Sequence, residues 1–118
     1  MTITRGRTFT AQNTLKNSSG VATAPAVSSE VRFIAKWKST DDDTQTVFTC
    51  STVANDGITF SGGTGVFTLT ISAGKTSTLP ATTERMVLSY ELIYIVSPDV
   101  YTLDAGRLYI EPAVLQTV

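Results

Sequence analysis

The chain contains no histidine. That absence removes the commonest general base and the commonest transition-metal ligand, and with them any serine–histidine triad. Cysteine is almost absent too. Cys50 stands alone, so no internal disulfide can form, and without a histidine to activate it this thiol is expected to be buried and structural. Charge is sparse, at 16% of residues, with nine basic and ten acidic side chains scattered along the chain. No basic field therefore exists to hold a phosphate backbone, and nucleic acid is not an expected partner. No apolar run reaches roughly 18 residues and the opening residues lack a signal-peptide core. The expectation is a protein made and folded in the cytosol, without a membrane partner. Repeats, linkers and low-complexity segments are missing as well.

What is present is alternation. The stretch from Asp56 to Pro80 carries two strand patterns around a glycine-rich turn. In Val66 to Ser72, Phe67, Leu69 and Ile71 share one face while Val66, Thr68, Thr70 and Ser72 share the other, a period of two in β-branched and aromatic residues. Ile58 and Phe60 point one way before it, and Ser61 to Gly65 (SGGTG) supplies the reversal. Such a hairpin is marginal in water by itself and needs a second sheet over its apolar face.

The rest of the chain follows the same rule. Met1 to Arg5 reads as a polar arm, and Thr8 to Lys16 sets Phe9, Ala11 and Leu15 on one face. Asn17 to Gly20 is a turn cluster. Val21 to Val27 contains Pro25, so any strand there is short or at an edge. Glu30 to Lys38 places Val31, Phe33, Ala35 and Trp37 inward, with the opposite face mostly in water. Val47 to Thr52 reads as a strand and Asn55 to Gly57 as a turn. Gly74 to Leu79 reads as one helical turn or an irregular corner. Arg85 to Val96 is a central strand with both faces partly buried; its β-branched residues and strict alternation argue against helix. Turns are expected at Ser97 to Asp99 and again at Asp104 to Gly106, separating strands at Val100 to Leu103 and Arg107 to Glu111. At 118 residues this predicts an all-β fold, an antiparallel β-sandwich of immunoglobulin-like or jelly-roll-like kind. It forms a single domain over residues 1–118, with a short arm at 1–5 and a tail at 113–118.

Candidate chemistry is thin. Gly74-Lys75-Thr76 matches the end of a phosphate-binding loop, but the position of its first glycine is Leu69, within a strand, and Pro80 arrives too soon for the helix the motif needs. Asp41-Asp42-Asp43 lacks the alternating spacing and closing glutamate of a calcium loop, so a solvated acidic loop is expected. Glu91, on the central strand, has no paired carboxylate and is expected to be neutralised by Arg or Lys across the sheet. Asn17-Ser18-Ser19 fits a glycosylation pattern without a secretory route to use it. Trp37 and the tyrosines either pack in the core or form a patch for a sugar or partner, core packing being the commoner fate. No catalytic, cofactor-binding or metal-ligating residue is assigned, and no cofactor is expected.

The order of segments is more informative than any one of them. RGRTFT at Arg5 to Thr10, Ser19-Gly20 and a proline, VRFIAKW, DGITF, GVFTLTIS, TSTLP, SYEL and YTLDAGRLYIEP together resemble a family of small β-sandwich modules of tailed bacteriophages. These include the N-terminal domain of phage baseplate upper proteins and stand-alone virion proteins. The resemblance runs from about Ile3 to Pro112 and rests on order and spacing. Relatives often carry an aspartate where Glu91 stands, and Gly6-Arg7-Thr8 replaces their Gly-Asp-Thr, a departure expected to alter a surface contact and not the fold. The resemblance implies a non-enzymatic virion protein assembled in the host bacterial cytoplasm. With no heptad or second domain after Pro112, a free-standing capsid decoration or cement protein is expected ahead of a tail, neck or baseplate adaptor, and a ligand-binding sandwich module comes third. Its implied partners are the major capsid protein or tail and baseplate subunits, with homo-oligomers or symmetric arrays of its own.

Overall fold

The computed structural model describes residues 1–17, 19–38, 40, 46–79 and 84–112. Its strands are β1 (Thr2–Thr4), β2 (Phe9–Thr14), β3 (Glu30–Lys36), β4 (Phe48–Ser51), β5 (Ile58–Phe60), β6 (Val66–Ile71), β7 (Met86–Val96) and β8 (Asp99–Glu111), with one short helix, α1 (Ala73–Ser77). They form a five-stranded sheet in the order β1-β8-β7-β3-β4 and a three-stranded sheet in the order β2-β6-β5. Two sheets facing across one apolar core make the sandwich that the alternation predicted.

The alternating residues meet where their parity requires. Phe67, Leu69 and Ile71 of β6 are fully buried, as are Val31, Phe33 and Ala35 of β3 and Leu108 and Ile110 of β8. The β5–β6 hairpin pairs Ile58 with Leu69 and Phe60 with Phe67, and Gly62 and Gly65 take the positive φ its turn demands. Ala35 lies opposite both Phe48 and Tyr90. Its small methyl leaves space between those two rings, and the Phe33 ring occupies it, stacked at 6.1 Å from Phe48 and 5.5 Å from Tyr90. The helical turn expected at Gly74 is α1, whose buried Thr76 accepts from the Gly6 N–H (2.9 Å) through its Oγ1.

Four expectations are corrected. Residues 2–4 are no arm. They form β1, parallel to β8 with Ile3 against Ile110, and the other pairings between these strands are antiparallel. One apolar residue in three gives no periodic signal, but Ile3 is buried and the edge of β8 offers it backbone partners. Asp104 to Gly106 does not turn the chain. β8 continues through it in regular register opposite Leu92, Glu91 and Tyr90, and the irregularity of this ladder is a bulge one residue earlier, at Leu103. Trp37 lies past the end of β3 and is 49% exposed, outside the core. The outer face of β3 is drier than expected, since Ile34 and Lys36 are both buried. Among the described residues, the segment 21–27 pairs through one isolated bridge, from Ala22 to Lys16, and Val21 and Val27 are exposed. The acidic loop at 41–43 and the tail at 113–118 lie outside the described residues.

The two sheets are joined at one side. Ser51 at the end of β4 bridges to Gly57 just before β5, and the Thr70 N–H of β6 donates to the Gly57 carbonyl (2.6 Å). Gly57 has φ +90°, and a Cβ there would stand 2.6 Å from the Thr70 carbonyl oxygen and 3.0 Å from Cys50 Sγ.

Candidate functional site

Cys50 of β4 is wholly buried behind this junction, its Sγ 3.8 Å from the Thr70 carbonyl oxygen. Burial pushes the thiol up to about 11, outweighing the nearby Lys75 ammonium, so almost none is thiolate near neutrality. The expected result is that Ellman's reagent leaves the native protein unlabelled at pH 8 and titrates one thiol after unfolding in guanidinium. Labelling of the native protein at the rate of a free thiol would contradict the packing described.

Lys75, the lysine of the phosphate-loop decoy, has a structural task. Its Nζ pairs with Asp56 Oδ1 at 2.8 Å and donates to the Thr49 carbonyl, tying α1 to the β4 edge. Asn17 acts locally as well. Its Oδ1 accepts from the N–H groups of Ser19 (2.9 Å) and Val21 (3.0 Å), closing the turn that returns the chain to its bridge with Lys16. Glu91 meets the expected cation across the sheet, with Lys36 Nζ 3.6 Å from Oε1. The two line a shallow cavity of ≈ 280 Å³ with Ser89, Tyr90 and Arg107.

Two polar clusters were invisible in the sequence because strand register creates them. Arg32 donates to both oxygens of Glu30, from Nε to Oε2 (2.8 Å) and from Nη2 to Oε1 (3.0 Å), and Ser51 Oγ, facing Arg32 on β4, donates to Oε2 at 2.6 Å. The Arg32 hydrogen bonds hold the Glu30 carboxyl below its ordinary 4.5 against the opposing effect of burial, with Ser51 adding to the lowering. A carboxylate with a lowered folded pKa stabilises the fold fully above its unfolded value, and that contribution disappears as pH falls through the folded value. Glu30→Gln is therefore expected to lower the urea midpoint at pH 7 and to lose less than the parent between pH 4.5 and strongly acidic solution. Parallel acid limbs for the two proteins would remove Glu30 from the account. The second cluster lies on the β7–β8 pair. Tyr90 Oη donates to Asp104 Oδ2 (2.9 Å), while Asp104 Oδ1 accepts from the Ala105 N–H (2.9 Å). Burial, then Asp104, raises the Tyr90 phenol.

A second concavity lies at the turn end of the β7–β8 hairpin. Tyr94 and Tyr101, stacked at 6.4 Å, line a groove of ≈ 490 Å³ with Leu15, Lys16, Thr23 and Leu103. Tyr94 is held in place because its Oη accepts from the Ala26 N–H at 2.8 Å. Exposed Val100 and Tyr101 lie on the same hairpin. The groove offers apolar area, two ring faces and one ammonium. Among the described residues no group of three or more His, Cys, Asp or Glu side chains is placed to hold a metal ion, and no helix is long and apolar enough to cross a membrane. Compared with protein families, curated proteins and solved structures, the chain matched none.

Proposed function

We propose that this chain is a non-enzymatic structural protein of a tailed-bacteriophage virion that decorates the head and braces the shell across capsomer joints. The observation that carries the reading is how polar and apolar groups are distributed. The ionic and hydroxyl groups around Glu30, Lys75, Asp104 and Asn17 are engaged in local structure, while Val21, Val27, Val53, Val87, Val100 and Tyr101 stand exposed. A small sandwich that carries these apolar side chains on its surface adds contact area to a lattice, and binding only the assembled shell stabilises it by mass action. The segment order that resembles phage sandwich modules supports the same reading. A tail, neck or baseplate adaptor is the alternative within this class.

Particles purified from cells encoding the gene decide the matter by quantitative mass spectrometry against the major capsid protein. Hundreds of copies in a simple ratio are expected for decoration. About six to a few tens would move the protein to the tail or baseplate, as closed symmetric rings require. Absence from particles would overturn the proposal.

A second reading, a module binding sugar or peptide, is favoured by one observation, the Tyr94–Tyr101 groove with Trp37 exposed elsewhere. It requires tyrosine emission to respond saturably to an oligosaccharide or peptide, and Tyr101→Ala to abolish that response.

A further inference from the structure

The edges of the two sheets are not equally protected. β1 and β5 are three residues long and β4 is four. Around β4, the Thr49 carbonyl accepts from Lys75 and the Ser51 N–H donates to the Asp56 carbonyl (2.7 Å). On β8, Asp104 caps the Ala105 N–H beside the register shift. β2 has none of these devices. Its six residues, FTAQNT, carry no charge and no proline, and they run in unbroken register against β6. A neutral, regular edge is the kind that natural sheets normally blunt.

The direction of its backbone groups follows from the bonds of β6. Thr70 N–H donates to the Gly57 carbonyl and the Val66 carbonyl accepts from Ser61 N–H, so even-numbered residues of β6 face β5 and odd-numbered ones face β2. Leu15 N–H accordingly donates to the Gly65 carbonyl at 2.7 Å. Alternation then directs Phe9, Ala11 and Asn13 toward β6, and turns the N–H and C=O of Thr10, Gln12 and Thr14 outward. All three of these residues are exposed, and among the described residues nothing pairs with their outward groups.

We infer that β2 pairs antiparallel with β2 of a second copy of this chain, with Gln12 opposite Gln12 on a two-fold axis and Thr10 opposite Thr14. This register uses every outward group of the strand and is self-complementary, as an isologous interface must be. It sets β-branched threonines in cross-strand pairs. Arg7 falls opposite Asn17 and Lys16 opposite Thr8, so no like charges face each other directly. On the inner side Phe9 meets the buried Leu15 of the copy and Ala11 meets Asn13, covering the Phe9, Ala11 and Asn13 side chains that the monomer leaves wholly or partly exposed at this edge. The result is one continuous sheet, β5-β6-β2-β2-β6-β5. The inference goes beyond the virion reading and is tested on isolated protein, so its failure and that of the virion reading are distinguishable.

Sedimentation equilibrium of the purified chain is expected to give a concentration-dependent dimer of the 12.6 kDa protein. Gln12→Pro removes an N–H that takes no part in the β2–β6 ladder, and proline is tolerated at such an edge position. It is expected to keep the circular dichroism of the parent while weakening dimerisation roughly 30-fold, for two lost hydrogen bonds. Gln12→Lys, whose exposed side chain leaves the monomer intact, sets like charges together on the axis and gives monomer. It serves equally if the proline variant does not fold. Residues opposed across hydrogen-bonded antiparallel strands stand about 5.5 Å apart at Cα, within disulfide reach, so Gln12→Cys is expected to cross-link under mild oxidation while Thr10→Cys alone does not. A monomer at every concentration, a dimer indifferent to Gln12→Lys, or cross-linking through Thr10→Cys as fast as through Gln12→Cys would each overturn the assignment.

Discussion

Phe33→Ala lowers the unfolding free energy by about 3–5 kcal/mol in urea titrations, the cost of a buried aromatic truncated in a core that closes only partly over the gap. The site argues for the upper part of that range. Phe33 is fully buried and its ring fills the space that Ala35 leaves between Phe48 and Tyr90, so removing it strips a stacking partner from each. Neither neighbour can readily follow. Tyr90 is anchored by its bond to Asp104, and Phe48 begins the short edge strand β4. Since small domains commonly hold only about 5–15 kcal/mol in total, the variant is expected near the limit of folding at 37 °C. Phe33→Leu, which keeps most of the volume, restores a large part of the loss. A loss below about 1 kcal/mol for Phe33→Ala would mean that the three rings do not form the centre of this core.

Gly57→Ala is expected to cost about 3 kcal/mol, although it adds a single methyl group to a residue in a turn. Two effects combine. The φ of +90° is one that side-chain-bearing residues rarely adopt, and the new Cβ would stand 2.6 Å from the Thr70 carbonyl oxygen, a backbone atom of the central strand of its sheet. Relief requires Gly57 to withdraw from Thr70, which breaks the 2.6 Å bond from the Thr70 N–H and opens the junction between the sheets. Gly63→Ala is the internal comparison. No atom lies within 4 Å of its Cβ position and its φ is ordinary, so its urea midpoint should stay within about 0.5 kcal/mol of the parent. Equal effects at the two glycines would remove the junction from the account of stability.

Phe67, Leu69 and Ile71 announced their sheet face because a period of two requires no knowledge of the partner strand. The same holds for Val31 and Phe33, and for the inward residues of β7. Ile3, Trp37 and Asp104 defeated that logic for different reasons. Ile3 belongs to a strand too short to show a period, and its place is decided by the free edge of β8 more than 100 residues away. Trp37 continues the alternation of β3 past the point where the sheet ends. Asp104-Ala105-Gly106 has the composition of a turn, yet it pairs in register with β7 just past a bulge at Leu103. The candidate sites divide in the same way. The buried thiol and the cation across from Glu91 follow from residue type and strand parity. The Glu30–Arg32–Ser51 cluster and the Tyr94–Tyr101 groove depend on which strands become neighbours, a property of topology that no local pattern contains. The open edge of β2 was half legible: the absence of charge in FTAQNT is written in the chain, but its position at the border of a sheet is not.

The pairing of β1 with β8 has a mechanical side. β1 lies parallel to the last residues of β8, with Tyr109 N–H donating to the Met1 carbonyl and Arg5 N–H to the Glu111 carbonyl. A load drawing residue 1 and residue 112 apart therefore acts along the strands. The bonds of the β1–β8 ladder resist it together in shear and cannot be unzipped one by one. A module gripped at these two ends therefore holds as a tie that yields abruptly at a threshold force.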